Sequence, residues 1–571
     1  MSEVRKSDRV LSKLSFLMFV LSILFVQCNK PSSAPGPTPT PPPTSSSFDV
    51  VAQTINATNF NSTQTFYGVS NNPAIKVSFS DKIDKGTVSS AVAYYNKSKN
   101  SSAVAFTVAY QNGDSAIVIT PSGTLDYLNE HVFSISSLLK SVAGKALSGR
   151  VDLDFVTQYD PADKFPVITD SALLTLVQQQ TFKYFWDFAH PVSGMARERN
   201  TSGETVTSGG SGFGVMAMLV GINRNFITRQ QGLSKIQTIV NFLKNTVPKF
   251  HGAFSHWMNG TTGAVVPFGQ NDNGADIVET SYMMMGLLCA RQYFNSSDPN
   301  EIALRNDINT LYNNIDWDFF RQGKKVLYWN WSPDFGFAVN VPVQGWNETL
   351  ITYVMAASST THAITKPVYD SGFARNGAMK NGNSFYGYQL PLGENLGGPL
   401  FFEQYSFMGI NPKSLTDQYA NYETQTLNHT KINYEYCKAN PKNWYGYSDQ
   451  CWGLTASDIP NGYTASSPTN DVGVIAPTAA LSSFPYTPTE SLKALKFFYY
   501  KLGDKLWSDY GLYDAFRLQD AWFSKTYLAI DEGPIVVMIE NYRTGLLWNL
   551  FMSCPEVKTG MKAIGFASPN L

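Results

Sequence analysis

The sequence predicts an all-β immunoglobulin-like sandwich over residues 48–160, followed by an all-α domain over residues 168–571, built as an (α/α)6 toroid. Three observations carry this. Short alternating apolar runs, separated by turn residues, fill the first stretch. Apolar residues at a period near 3.6 fill the second, in about twelve segments. At 571 residues the chain is also too long for one ordinary domain.

The N-terminus lies outside this scheme. Arg5, Lys6, Arg9 and Lys13 precede the apolar run Leu14–Val26, which is short for a membrane span and is followed by Cys28. Residues 1–27 read as a bacterial lipoprotein signal, with cleavage leaving a lipidated Cys28 as a membrane anchor. Gln27 stands where a small residue is usual, so a plain secretory signal with an incidental Cys28 is the alternative. Residues 28–47 form a Pro/Ser/Thr-rich tether, extended and without a core. A periplasmic or outer-membrane-anchored protein is expected.

In the sandwich, Ile75–Phe79, Ala103–Ala109 and Ala116–Thr120 alternate as strands do. Asn112-Gly-Asp114 separates the last two runs as a hairpin turn would. The wording of Ile75–Ile83 and Tyr127–Phe133 resembles bacterial Ig-like modules, and no exposed aromatic row marks this one as a sugar binder. Helices are expected over Ser171–Phe188, Gly214–Asn223, Leu233–Leu243, Ile277–Tyr293, Glu301–Ile315, Thr349–Ser358, Leu415–Cys437, Thr489–Tyr500 and Ile535–Met552. A helical solenoid is the alternative to the toroid, but no internal repeat is visible.

Composition narrows the function. The net charge is -1 and no basic run follows the first dozen residues, which argues against nucleic acid as a partner. Aromatic residues make up 14% of the chain, which suits either sugar stacking or a large core. No CxxC, His-Glu-x-x-His or Gly-x-Ser-x-Gly pattern occurs, so no metal, no cofactor and no acyl-transfer nucleophile are expected. In an exported chain Cys437 and Cys451 are the best candidates for a disulfide, and Cys289 reads as a buried thiol.

The chemistry concentrates in Gly274-Ala-Asp-Ile-Val-Glu-Thr-Ser-Tyr282. Asp276 and Glu279, three apart at a helix start, share one face, and Asp272 lies in the loop before them. Glu348 stands at a second helix start after Asn347. Acids at helix N-termini also serve as caps, which accounts for one acid better than for three. Trp329 and Trp331 alternate and are expected on one side, with Trp346 nearby; ring stacking and burial under a loop are both open. Paired acids among aromatic residues are what glycoside hydrolysis requires, one protonating the leaving oxygen and another activating water. Gly209-Gly-Ser-Gly-Phe-Gly214 reads as close packing at a helix start rather than a phosphate cradle.

At these residues the helical part resembles the glucoamylase-like lipoprotein domain of glycoside hydrolase family 144. The resemblance rests on Tyr184–Phe188, Gly274–Tyr282, Leu327–Pro333, Gly345–Leu350, Cys451–Asp458, Ile475–Ala480 and Gly533–Arg543. It implies an (α/α)6 toroid that hydrolyses β-1,2-glucan with inversion, by endo attack or by exo release of sophorose. It implies Glu279, Glu348 and Asp276 as the catalytic acids. Asp272, Trp329, Trp331, Trp346, Tyr405 and Asp531 are the candidate substrate contacts. Gln404 and Glu532 depart from the family, which has His and Gln there. A monomeric endo-acting enzyme is expected; a sophorose-releasing exo enzyme and a non-catalytic glycan-binding lipoprotein are the alternatives.

Overall fold

The computed structural model describes residues 47–61 and 64–571; the signal segment, Cys28 and most of the tether lie outside the described residues. The first folded part has ten strands: β1 (Val50–Ile55), β2 (Thr58–Asn59), β3 (Thr65–Val69), β4 (Ile75–Phe79), β5 (Val92–Asn96), β6 (Ser102–Ala103), β7 (Phe106–Gln111), β8 (Ala116–Pro121), β9 (Glu130–Ile135) and β10 (Val151–Thr157). They make two five-stranded sheets, β2-β1-β4-β8-β7 and β3-β10-β9-β5-β6. Alternation sends Ile75, Val77, Ile117 and Ile119 of one sheet into a shared core with Tyr94, Phe133, Ile135 and Phe155 of the other. The turn between β7 and β8 falls at Asn112–Asp114, where Gly113 takes φ 64°.

The sandwich is fixed to the helical part through Tyr445. Gly68 has φ 67°, and its missing side chain leaves the space that the Tyr445 ring fills. The Tyr445 hydroxyl accepts the Tyr159 amide at 3.2 Å. Further along the connection the Lys164 amide donates to the Tyr500 carbonyl at 2.7 Å, and Phe165 stacks on Tyr499.

The main helices of the second part are α1 (Asp170–Trp186), α2 (Ser208–Asn223), α3 (Arg229–Asn245), α4 (Ile277–Tyr293), α5 (Pro299–Asn313), α6 (Leu350–Ser358), α7 (Tyr422–Ala439), α8 (Pro477–Leu481), α9 (Pro488–Lys496), α10 (Ala529–Arg543), α11 (Leu546–Met552) and α12 (Pro555–Ala563). Two of them are core throughout: Ser208–Ile222 of α2 and Ile277–Ala290 of α4 are buried on every face, as helices apolar all round must be. By contrast α3 is amphipathic and opens with a capping box between Thr228 and Gln231. Helix α2 packs against α4, α10, α1 and α3, and α4 packs in turn against α6, α11 and α5. Glycine permits the closest of these approaches. A Cβ on Gly286 would overlap the Gly212 carbonyl, one on Gly212 would overlap the Tyr282 carbonyl, and one on Gly533 would overlap Phe213.

Several boundaries differ from the sequence reading. Helix α2 begins at Ser208, so the glycine-rich stretch lies inside it. Helix α7 begins only at Tyr422, because Asn421 caps it and the Asp417 carboxylate accepts the Tyr419 and Ala420 amides in a preceding turn. The segment expected over Ile535–Met552 starts at Ala529 and breaks at Gly545, where φ is 71°. The expected Cys437–Cys451 disulfide is absent: both are free, buried thiols. Burial pushes both thiols well up, so they behave as small apolar core residues. Substituting Gly286→Ala is expected to cost about 3 kcal/mol through backbone overlap, read as a lowered midpoint in urea unfolding.

Candidate active site

The N-terminus of α4 is built before its acids can act. Ala275 and Asp276 pair with Trp331 and Asn330 in a short antiparallel ladder, and the Ile277 amide donates to the Trp329 carbonyl at 3.0 Å. Asp276 is then the N-cap: its Oδ1 accepts the Val278 and Glu279 amides at 2.9 and 3.0 Å. Its Oδ2 lies 2.9 Å from His256 Nδ1. One turn on, Glu279 Oε2 accepts the Gly209 amide at 2.9 Å and the Thr207 hydroxyl at 3.4 Å, at the start of α2. Glycine at 209 makes room for this contact, since a Cβ there would have to push the carboxylate away from the amide.

Glu348 arrives from the segment before α6. Asn347 Oδ1 accepts the Thr349 amide at 3.0 Å and closes the turn, while the Glu348 carbonyl accepts the Ser406 hydroxyl. Glu279 and Glu348 line one cavity of about 420 Å³. Its walls are aromatic, with Trp257, Phe268, Trp329, Phe401, Tyr405 and Tyr463, and its polar lining includes His256, Arg199 and Glu198. That volume lies within the range of about 300–1,000 Å³ usual for ligand pockets.

The electrostatics follow from crowding acids in a dry place. Burial pushes the Glu348 carboxyl up to about 7, with the charges of Glu279 and Asp276 adding to it and its own backbone amide opposing. Burial likewise raises Glu279, against the pull of the His256 cation. Asp272 is pushed up to about 6 by burial and then by Asp276. His256 goes the other way. Burial alone would lower it, but Glu279, Asp276 and Asp272 outweigh that and lift it to about 9.

The other sequence-selected residues divide. Trp329 and Tyr405 line the cavity. Asp272 accepts Asn330 Nδ2 at 3.0 Å, close to Asp276 but not on the cavity wall. Trp331 does not share a side with Trp329; it packs edge-on against His251 and against Phe319. Alternation fails because the chain changes ladder partner at Trp329: Leu327–Tyr328 pairs with Pro342–Val343, and Asn330–Trp331 with Ala275–Asp276. Trp346 is buried and donates its indole N–H to Glu403 at 2.8 Å, bracing the turn before Glu348. Asp531 is buried behind Leu528 and Ile530, which do line the cavity. Burial and then the neighbouring Asp514 charge raise its carboxyl. Gln404 is buried and donates to the Ala479 carbonyl, and Glu532 is buried in the first turn of α10; neither lines the cavity.

Two partners escaped sequence reasoning. His256 carried no local signal, because its carboxylates are 20 and 23 residues away. Arg199 pairs with Asp458 at 3.1 Å across 259 residues, tying two segments of the rim. Among the described residues no group of three or more His, Cys, Asp or Glu is arranged to hold a metal ion.

An aromatic-walled cavity with two carboxylates, one holding its proton near neutrality, is the equipment of a glycoside hydrolase. The family described as a putative glucoamylase matches residues 340–555, and the bacterial Ig-like domain matches residues 49–157. A putative glucoamylase structure from Bacteroides uniformis is 54% identical, over 71% of this chain and 100% of that one, with a TM-score of 0.71. An endo-β-1,2-glucanase structure from Chitinophaga pinensis, in complex with sophorotriose and glucose, is 51% identical over 71% of this chain and 100% of its own, with a TM-score of 0.70. An exo β-1,2-glucooligosaccharide sophorohydrolase of Parabacteroides distasonis is 45% identical over 427 residues, 71% of this chain; the chain spans 59% of that protein's length. The chain belongs to this glucoamylase-like family, glycoside hydrolase family 144.

The charge on His256 yields a pH prediction. A histidine lifted to about 9 contributes stability that is full below its unfolded value of about 6.5 and is lost as pH rises through about 9. In urea unfolding, wild type is expected to exceed His256→Gln by most at about pH 6 and to lose that margin by about pH 10.

Proposed function

We propose that this protein hydrolyses β-1,2-glucan with inversion, cutting within the chain to give short β-1,2-glucooligosaccharides. The observation that carries the reading is the shared cavity of Glu279 and Glu348, with Glu348 pushed up to about 7. Glu348 is the acid: a carboxyl protonated at neutral pH can pass its proton to the departing glycosidic oxygen. Glu279 is the base. Its Oε2 is held by Gly209 and Thr207, which leaves Oε1 for the attacking water. Asp276 has both oxygens engaged, by two amides and by His256, and acts by holding the Glu279 backbone and the His256 cation, whose charge offsets that of Glu279. Trp329, Tyr405 and the other rings offer flat faces for glucosyl C–H surfaces.

The linkage is supported by the two relatives named for β-1,2-glucan chemistry, and endo action by the glucanase that is matched along its whole length. In this reading the helices close into an (α/α)6 ring, with the N-terminal ends of α2 and α4 contributing to the cavity. The enzyme is monomeric and exported as a lipoprotein, anchored through Cys28 on the periplasmic or outer-membrane face.

Product analysis on linear β-1,2-glucan is expected to give a ladder of oligomers from wild type; sophorose alone from the first time point would establish exo action instead. Glu348→Gln and Glu279→Gln are each expected to lower kcat at least about 10²-fold. The wild-type kcat is expected to fall as pH rises through about 7, where Glu348 gives up its proton. Hydrolysis of only other glucans, or a variant retaining full rate, would remove the linkage or the assignment. For the anchor, Cys28→Ala is expected to move the protein from the membrane to the soluble fraction, and an unchanged distribution would refute lipidation.

A further inference from the structure

A second cleft, of about 240 Å³, opens where the sandwich meets the helical domain, and it shares no lining residue with the carboxylate cavity. The sandwich supplies Thr65, Tyr67 and Glu130, and the helical domain supplies Trp444, Arg517 and Gln519. Neither domain forms it alone.

Its two aromatic residues are held rigidly. Tyr67 stacks on Tyr445 with centroids 6.1 Å apart and planes 17° apart. Trp444 donates its indole N–H to Asp471 at 2.9 Å and packs its ring on Gly473, where a Cβ would collide with it. Rings fixed before binding lose little entropy when a ligand lands on them. Both remain partly exposed.

The polar groups are set out for hydroxyls. Asp520 holds the Arg517 guanidinium through Nε and Nη2. Gln519 uses its oxygen on the Tyr445 amide at 3.4 Å, which leaves its amide N–H groups for a ligand. Glu130 engages Lys97 through Oε1, which leaves Oε2. The cations are thus matched by carboxylates, so an anionic ligand gains nothing here. A neutral ligand with many hydroxyls can use both donors and acceptors. The volume falls below the lower bound of about 300 Å³ for drug-sized sites, so one or two sugar rings are the natural occupant.

We infer that this composite cleft is a second sugar-binding site, taking one or two glucosyl units of the same β-1,2-glucan and making the sandwich part of substrate capture. The inference rests on the substrate reading above for the linkage, though not for the sugar chemistry.

The test is affinity electrophoresis of the full folded chain in gels containing β-1,2-, β-1,3- or α-1,4-glucan, with Trp329→Ala to weaken the catalytic cavity. Retardation by β-1,2-glucan is expected to persist in Trp329→Ala. It is expected to weaken about tenfold when Tyr67→Ala or Arg517→Ala is added. Arg517→Ala removes no core contact of Tyr445, so it reports on binding even if Tyr67→Ala disturbs the junction; thermal melting checks both. On the intact active site, the same two substitutions are expected to lower kcat/KM on long β-1,2-glucan and to leave sophorotriose turnover unchanged. Unaltered retardation and kcat/KM in both variants, with hydrolysis intact, overturns the second site and spares the activity. If β-1,2-glucan is not hydrolysed, the activity falls separately, and retardation by any glucan that depends on Tyr67 and Arg517 still upholds a sugar site.

Discussion

The close approach of α2 and α4 is the constraint on which the site depends. Two glycines, Gly212 and Gly286, let the helix backbones touch, and a third, Gly209, lets the Glu279 carboxylate reach the amide at the start of α2. Helix N-termini carry unpaired amides and partial positive charge, so they attract a carboxylate. Here the carboxylate belongs to the neighbouring helix. Packing and electrostatics therefore place Glu279 together: separating the helices by the width of a methyl group would break its bond to Gly209.

That placement crowds acids into a poorly solvated space, where like charges raise one another's proton affinity. The molecule answers with the His256 cation, bonded to Asp276 and lowering Glu279 through its charge, and with amide donors to Asp276 and Glu279. Among the described residues the Glu348 carboxyl meets no such partner besides its own backbone, and burial pushes it up to about 7. The two glutamates thus differ through their surroundings rather than their residue type, as the proposed split into acid and base requires.

The junction between the domains repeats the theme of glycine making room for an aromatic ring. Tyr445 occupies the space left open at Gly68 and bonds to Tyr159, so the sandwich is seated on the helical domain rather than strung ahead of it. A module whose sequence shows no exposed aromatic row supplies one wall of a cleft by being held beside Trp444 and Arg517.

Local elements, and the carboxylates proposed as acid and base, are legible in the sequence alone. Period-2 runs specified β4 and β8, the 3.6 period placed α4 to the residue, and the spacing of Asp276 and Glu279 put both carboxylates at a helix start. These features are legible because each depends on neighbours within a few positions. Contacts between distant segments come from the fold, which brings together residues that no local pattern relates. It put Trp329 in the cavity and Trp331 outside it, because the chain changes ladder partner at Trp329. It turned Trp346 into a brace on Glu403, left Cys437 and Cys451 as separate buried thiols, and brought His256 to Asp276. Periodicity records which face of an element is buried; what that face meets depends on how the chain folds back across tens or hundreds of residues.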